Sequence, residues 1–243
     1  MNLHSGTAAL FSSMLMLAAF MQGTVEAEEL FNADLYLAGT NRQQLIFRQK
    51  NSIVRKKDIT VLTHTYTHVD GRLAAREEVT LREGKFQKYE VNMPETGCGC
   101  LLERDEGKLR FSFTRPDNPK KGEDNFTSDL VTGPTLTDFV HSRWAALRRG
   151  ETVFFNLPSM TLQRLARFQL KQITGSPRNR EGVAVFLMKI DNVFFRLLLE
   201  PVELVYDVRT RRLVEIYGQS LLERRVNGRL ENPVVDIVYR YDR

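Results

Sequence analysis

The chain has 243 residues, 42% of them hydrophobic and 15 of them phenylalanine, which is too apolar for a disordered chain and long enough to bury a sizeable core. Its formal net charge is +5, but the basic clusters Arg55-Lys56-Lys57, Arg148-Arg149, Arg211-Arg212 and Arg224-Arg225 are scattered and interrupted by acids. A nucleic-acid binder needs a basic stripe and a recognisable module; neither is present, so the surplus reads as solvated turns or as weak attraction to anionic headgroups or polysaccharide.

Ala8 to Phe20 is an uncharged apolar run. It is shorter than the roughly 20 residues a membrane-spanning helix needs. Val25 and Ala27 fit the −3 and −1 places of a small-residue cleavage site, so residues 1–27 are predicted to be a secretory signal peptide. The competing reading is an uncleaved anchor, because the segment before the run offers only the terminal amine and His4. Residues 28–243 are then expected to form one mostly antiparallel β domain, exported to the periplasm or secreted. No later apolar run is long enough to cross a membrane.

Period-two alternation dominates the rest of the chain. A Thr-rich run from Ile59 to His68 is followed by Asp70-Gly71 and a strand around Val79. Arg82-Glu83-Gly84-Lys85 leads to a strand from Phe86 to Met93. Asp105-Glu106-Gly107 leads to Lys108–Thr114, where Leu109, Phe111 and Phe113 share a face. Short Gly-containing links between such runs predict hairpins, and hence a meander. Pro116 to Asn125 is polar and reads as a long flexible loop.

Leu136, Phe139, Val140, Trp144 and Leu147 recur at helical spacing. Thr135 offers an N-cap, Asp138 a capping acid, and Gly150 a C-terminal stop. One amphipathic helix is predicted from about Leu136 to Arg149. Strands return with Val153, Phe155 and Leu157, then with Ala166, Phe168 and Leu170. Thr174 to Gly182 reads as a second loop. Val183–Ile190 and Val193–Leu198 are apolar on both faces and are expected to be the most buried strands, with a short buried helix as the alternative. Val235, Ile237, Tyr239 and Tyr241 line one face of a last strand. The fold class is mainly β (α+β): a curved antiparallel sheet or incomplete barrel with one helix packed on it.

Few residues point to chemistry. His64 and His68 lie on a segment of strand composition, where four residues span about 13 Å. Nitrogens bound to one metal must each lie about 2 Å from it, so the pair is not expected to share an ion. Cys98 and Cys100 are the only cysteines. Export would expose them to oxidation, making them candidates for a disulfide. Their Cα atoms would be about 6.5 Å apart on a strand, at the upper edge of the disulfide range, with Gly99 free to kink. Such a small ring would be strained and reducible; two free thiols are the alternative. Glu77 and Glu78 point to opposite faces of a strand. No nucleophile elbow, phosphate-binding loop or His-Glu-x-x-His motif occurs, so no cofactor or metal is expected.

The run Gly133 to Phe139, then Trp144, Leu147 and Gly150, then Val153 to Leu157, has a familiar order. So has the later sequence of Val202–Tyr206, Leu213–Ser220 and Val234–Tyr241. Together they resemble exported bacterial proteins of unknown function and, more distantly, the periplasmic lipoprotein-carrier superfamily. That resemblance implies an incomplete antiparallel barrel with a helix across its mouth and a cavity for acyl chains.

Three functions are in view. The first is a non-enzymatic periplasmic carrier whose sheet–helix groove, with Phe111, Phe113, Phe139, Trp144, Phe155 and Phe168 as candidates, holds a hydrophobic or lipid ligand. The second is a structural or assembly partner of another envelope protein. The third is a thiol-redox enzyme using Cys98 and Cys100. A cavity of roughly 300 Å³ or more would favour the first, an exposed apolar patch the second. Burial of both thiols would count against the third.

Overall fold

Alternating segments become sheet almost wherever they occur. In the computed structural model the described residues are 28–192 and 194–241; the expected signal peptide and Val193 lie outside them. Eight strands come first: β1 (Glu28–Leu37), β2 (Leu45–Lys56), β3 (Ile59–His68), β4 (Leu73–Arg82), β5 (Lys85–Met93), β6 (Cys98–Asp105), β7 (Lys108–Thr114) and β8 (Lys120–Asn125). A 3₁₀ turn (Gly133–Thr135) then runs into helix α1 (Leu136–Arg148). After it come β9 (Val153–Ser159), β10 (Arg164–Ile173), β11 (Val183–Ile190), β12 (Val202–Asp207), β13 (Leu213–Gln219), β14 (Arg224–Val226), β15 (Arg229–Glu231) and β16 (Val234–Arg240).

Fourteen of these strands form one antiparallel sheet, in the order β8 back to β1, then β16, β13, β12, β11, β10 and β9. It is two meanders joined where β1 pairs with β16. Strands β14 and β15 make a separate hairpin. The sheet is curved and is not closed into a barrel. Register shifts at Leu35/Tyr36, Tyr66/Thr67, Thr80/Leu81 and Val205/Tyr206 mark bulges, each of which bends its strand and adds twist.

The two sheet edges are protected differently. Strand β8 is exposed throughout and carries Lys120, Lys121, Glu123 and Asp124, charges that discourage pairing with another chain. It also corrects the loop expected from Pro116 to Asn125. The Phe111 side chain occupies the space that a side chain at Gly122 would fill on the facing strand, so β7 holds the polar segment in register. At the other edge, Val131 N–H donates to Asn156 O at 2.8 Å, and Asn156 N–H to Asp129 O at 2.9 Å. The link before the helix therefore covers β9.

Helix α1 buries Leu136, Val140, Trp144 and Leu147, the stripe its spacing predicts. Thr135 stands at its N-cap as expected, but makes no side-chain cap there, and its hydroxyl is used one turn earlier. Thr132 N–H donates to Thr135 Oγ1 at 2.9 Å, and the two hydroxyls meet at 3.0 Å. At the far end Gly150, at φ +81°, donates to Leu147 O at 2.9 Å.

The strand expected from Val193 to Leu198 is replaced by a 3₁₀ turn, Phe194–Leu197. Asn192 Oδ1 accepts the Phe194 N–H at 2.9 Å, a side-chain turn that competes with strand pairing. Phe194 and Leu198 are 84% and 56% exposed. Strand β11 meets its expectation, with Val185, Phe186 and Ile190 buried. The Thr174–Gly182 loop is pinned to the outer face: Arg180 meets Glu215 at 2.7 Å, and the Arg178 guanidinium lies 3.9 Å from the Tyr217 ring centre.

Two buried clusters result. One spans the first meander; the other lies between α1 and strands β9 to β13. Ile216 and Tyr239 touch both.

Candidate functional site

Between the two clusters the concave face leaves a cavity of about 140 Å³. Side chains of both contribute to it: Leu35, Val235 and Ile237 from the first, Leu136, Phe168 and Leu204 from the second. Exposed Leu221, Thr161 and Glu200 lie at its rim, so it opens to solvent on that side. Its volume is about half of the ~300 Å³ at the lower end of drug-sized pockets, too little for a whole acyl chain.

One wall is polar, built by strands β2, β3 and β4. The inward face of β2 reads Phe47, Gln49, Asn51, Ile53, all buried. Across the register Asn51 sits opposite His64, and His64 opposite Glu77. Glu77 itself stands between Ala75 and Val79 on the inward face of β4 and is 1% exposed. His64 Nδ1 lies 3.3 Å from Glu77 Oε2, yet the orientation makes no hydrogen bond, and both atoms are left without one. Burial holds the Tyr66, Tyr89 and Tyr239 phenols well above the ordinary value, and the Glu77 charge adds to each shift.

Gly133, the first residue of the 3₁₀ turn, completes this wall. A Cβ there would run into the Glu77 carboxylate as it is placed, so the glycine lets the helix start approach the strand without moving that side chain.

The amide chain beside it has a determined orientation. Asn51 Nδ2 donates to Phe31 O at 3.1 Å, so Asn51 Oδ1 is the acceptor for Gln49 Nε2 at 2.7 Å. Gln49 must then turn its Oε1 the other way, where it has no partner. Gln49, His64 and Glu77 all line the cavity.

Of the six aromatic candidates, Phe168 lines the cavity. Phe155 stacks on Phe168 with ring centres 6.0 Å apart and meets Phe139 at 4.8 Å. Trp144 packs edge-on against Phe186 and Tyr206, at 5.5 and 5.8 Å. Phe111 and Phe113 sit in the first-meander cluster, 5.8 Å apart. The helix aromatics thus fill the sheet–helix interface, and the open space lies beside it.

The two histidines engage different carboxylates, His68 meeting Glu95 at 2.6 Å. Among the described residues no group of three or more His, Cys, Asp or Glu side chains is placed to hold a metal ion, and no helix is long and apolar enough to cross a membrane. His141 Nε2 bonds with Arg211 O at 2.7 Å, on the exposed side of the helix.

Cys98 and Cys100 are free thiols, 2% and 4% exposed. Between them Gly99 lets β6 lie close on β5, since a Cβ there would come within 2.5 Å of Val91 O. Burial, with Glu223 adding, pushes the Cys98 thiol up to about 11, and burial pushes Cys100 up as well. Thiolate is the reactive form, so alkylation of the folded protein by iodoacetamide at pH 8 is expected to be slow and to become fast in denaturant. The raised proton affinity also has a sign. Its contribution to stability is intact below about pH 9 and is lost as pH rises through about 11. Denaturation curves between pH 8 and 11 should show that decline; rapid native alkylation would contradict the burial.

Comparison with protein-family models, curated proteins and solved structures gives no match to this chain.

Proposed function

We propose that the protein is a non-enzymatic binding protein that takes a small, mostly apolar molecule into the cavity between its two cores. The observation behind this is the cavity itself. An apolar space of about 150 Å³ accepts a benzene-sized guest, and this one, about 140 Å³, is walled mostly by apolar side chains apart from the polar wall and opens at Leu221 and Glu200. An open, curved sheet leaves such a space where a filled sandwich does not. The reading keeps the carrier class that the sequence resemblance implies and narrows the cargo from a whole acyl chain to something ring-sized. Export to the periplasm is part of the proposal and rests on residues 1–27.

Native mass spectrometry of protein purified from its own host tests the reading. A mass above that of the chain, released by denaturation, is the expected result. A bare chain that also fails to retain toluene added in excess would contradict it.

A second reading has its own observation. Phe194 and Leu198 are exposed apolar side chains immediately before the rim residues Leu199 and Glu200. Such a patch serves contact with another envelope protein. Phe194→Ser with Leu198→Ser should then abolish co-purification of that protein while leaving the fold intact.

A further inference from the structure

The polar wall says what kind of head group the guest carries, and this step rests on the ligand-cavity reading above. We infer that the cavity recognises a ring-sized primary amine, bound as its ammonium, and rejects the matching carboxylate.

Three buried atoms on adjacent strands have no hydrogen bond: Gln49 Oε1, His64 Nδ1 and Glu77 Oε2. All three residues line the cavity. Gln49 and Glu77 are 2% and 1% exposed, so solvent does not satisfy them from the outer face. Leaving a buried polar atom unmet costs about 1–3 kcal/mol, and native proteins leave few such atoms without a reason.

Two of the three are acceptors by chemistry. The Gln49 amide is oriented by Asn51 and Phe31, which consume its donor side. Glu77 Oε2 is a carboxylate oxygen, with no hydrogen bond of its own. The third, His64 Nδ1, faces Glu77 Oε2 at 3.3 Å, where a proton on Nδ1 is favoured over a second lone pair. An ammonium has three donors and no acceptor, which suits the two acceptor oxygens Gln49 Oε1 and Glu77 Oε2.

Charge agrees with the hydrogen-bond count. No Lys or Arg is present among the described lining residues, while Glu77 lies inside and Glu200 at the rim. A carboxylate or phosphate head would meet a second negative charge with no Lys or Arg to offset it, and His64 is already turned to Glu77. A cation is drawn inward by both acids. The helix N-terminus beside Glu77 does not change this, because none of its N–H groups reaches Oε2. A metal ion fits less well than an organic cation, since the described residues offer only one carboxylate and one imidazole on this wall.

The test is calorimetric titration of the full chain with toluene, benzylamine and benzoate at pH 7.5. These have similar bulk and differ in the head group. Benzylamine should bind about tenfold or more tightly than toluene, as charge-assisted hydrogen bonds imply, and benzoate should show no saturable binding. Glu77→Gln should erase the preference for benzylamine while toluene binding stays within about twofold. Gln49→Leu, a milder change, should reduce the preference without erasing it. If toluene binds and benzoate equals benzylamine, or if Glu77→Gln keeps the preference, the head-group inference is overturned and the cavity reading stands. If none of the three binds, both fall together.

Discussion

Replacing Trp144 by alanine is expected to cost about 3–5 kcal/mol of folding stability. The indole is 8% exposed and is boxed by Phe186 and Tyr206, both fully buried. Removing it leaves a hole that a rigid sheet on one side and a capped helix on the other cannot close. In a domain of this size the loss corresponds to a fall in Tm of roughly 6–20 °C. Toluene binding should survive in the folded fraction, because Trp144 does not line the cavity. Urea denaturation with an unchanged m-value is the appropriate check. A cost below about 1 kcal/mol, accompanied by altered ligand binding, would mean that the helix face is the groove itself.

The second large effect is expected at an ion pair beside the cavity-lining segment 220–222. Arg115 and Glu223 form an ion pair across 108 positions of sequence, with Glu223 1% and Arg115 20% exposed. The pair uses Glu223 Oε1, and Oε2 has no hydrogen bond. Arg115→Ala therefore strands a buried carboxylate and should destabilise by about 3 kcal/mol. Replacing both partners by apolar residues of similar size, Arg115→Met with Glu223→Leu, should restore most of the loss, since a buried pair is often no better than an apolar one. The double-mutant cycle separates the two statements. If the double variant is as unstable as the single, the pair holds the Cys98 region together through more than its charges.

Much of the architecture could be read from alternation alone. Leu109, Phe111 and Phe113, then Ala166, Phe168 and Leu170, mark strands whose inward faces are where the pattern places them, and the helix stripe of Leu136, Val140, Trp144 and Leu147 is equally plain. The departures have identifiable causes. Lys120 to Asn125 carries no apolar face, so nothing local marks it as a strand; its pairing comes from β7 and the Phe111–Gly122 contact. The segment after Ile190 is apolar enough for a strand but follows Asp191-Asn192, and the Asn192 side chain turns it.

The polar wall was only half legible. Opposite faces for Glu77 and Glu78 are what the strand provides: Glu78 meets Arg76 at 2.7 Å near solvent, while Glu77 points inward. The inward choice was available from its neighbours, because Ala75 and Val79 make Glu77 the polar break in an apolar face. Gln49 and Asn51 break the face of β2 between Phe47 and Ile53 in the same way. What no local pattern shows is that these breaks face one space, or that Gly133 comes against Glu77 from a different part of the chain. Those contacts depend on how far the sheet curves, which is set by bulges at Leu35/Tyr36, Tyr66/Thr67 and elsewhere. Such bulges leave no mark in residue periodicity.

The central claim, that the space between the two cores is a binding cavity, is tested most directly by thermal unfolding with increasing toluene, on the wild type and on Ile237→Phe. Ile237 is 8% exposed and lines the cavity, so the added ring occupies the space, with an overpacking cost of about 1–3 kcal/mol. A ligand bound only by the folded state stabilises it by about 2.7 kcal/mol at a hundred times its Kd. The account predicts a saturable rise in the Tm of the wild type and none in Ile237→Phe. A wild type indifferent to toluene, or a filled variant stabilised equally, would contradict it.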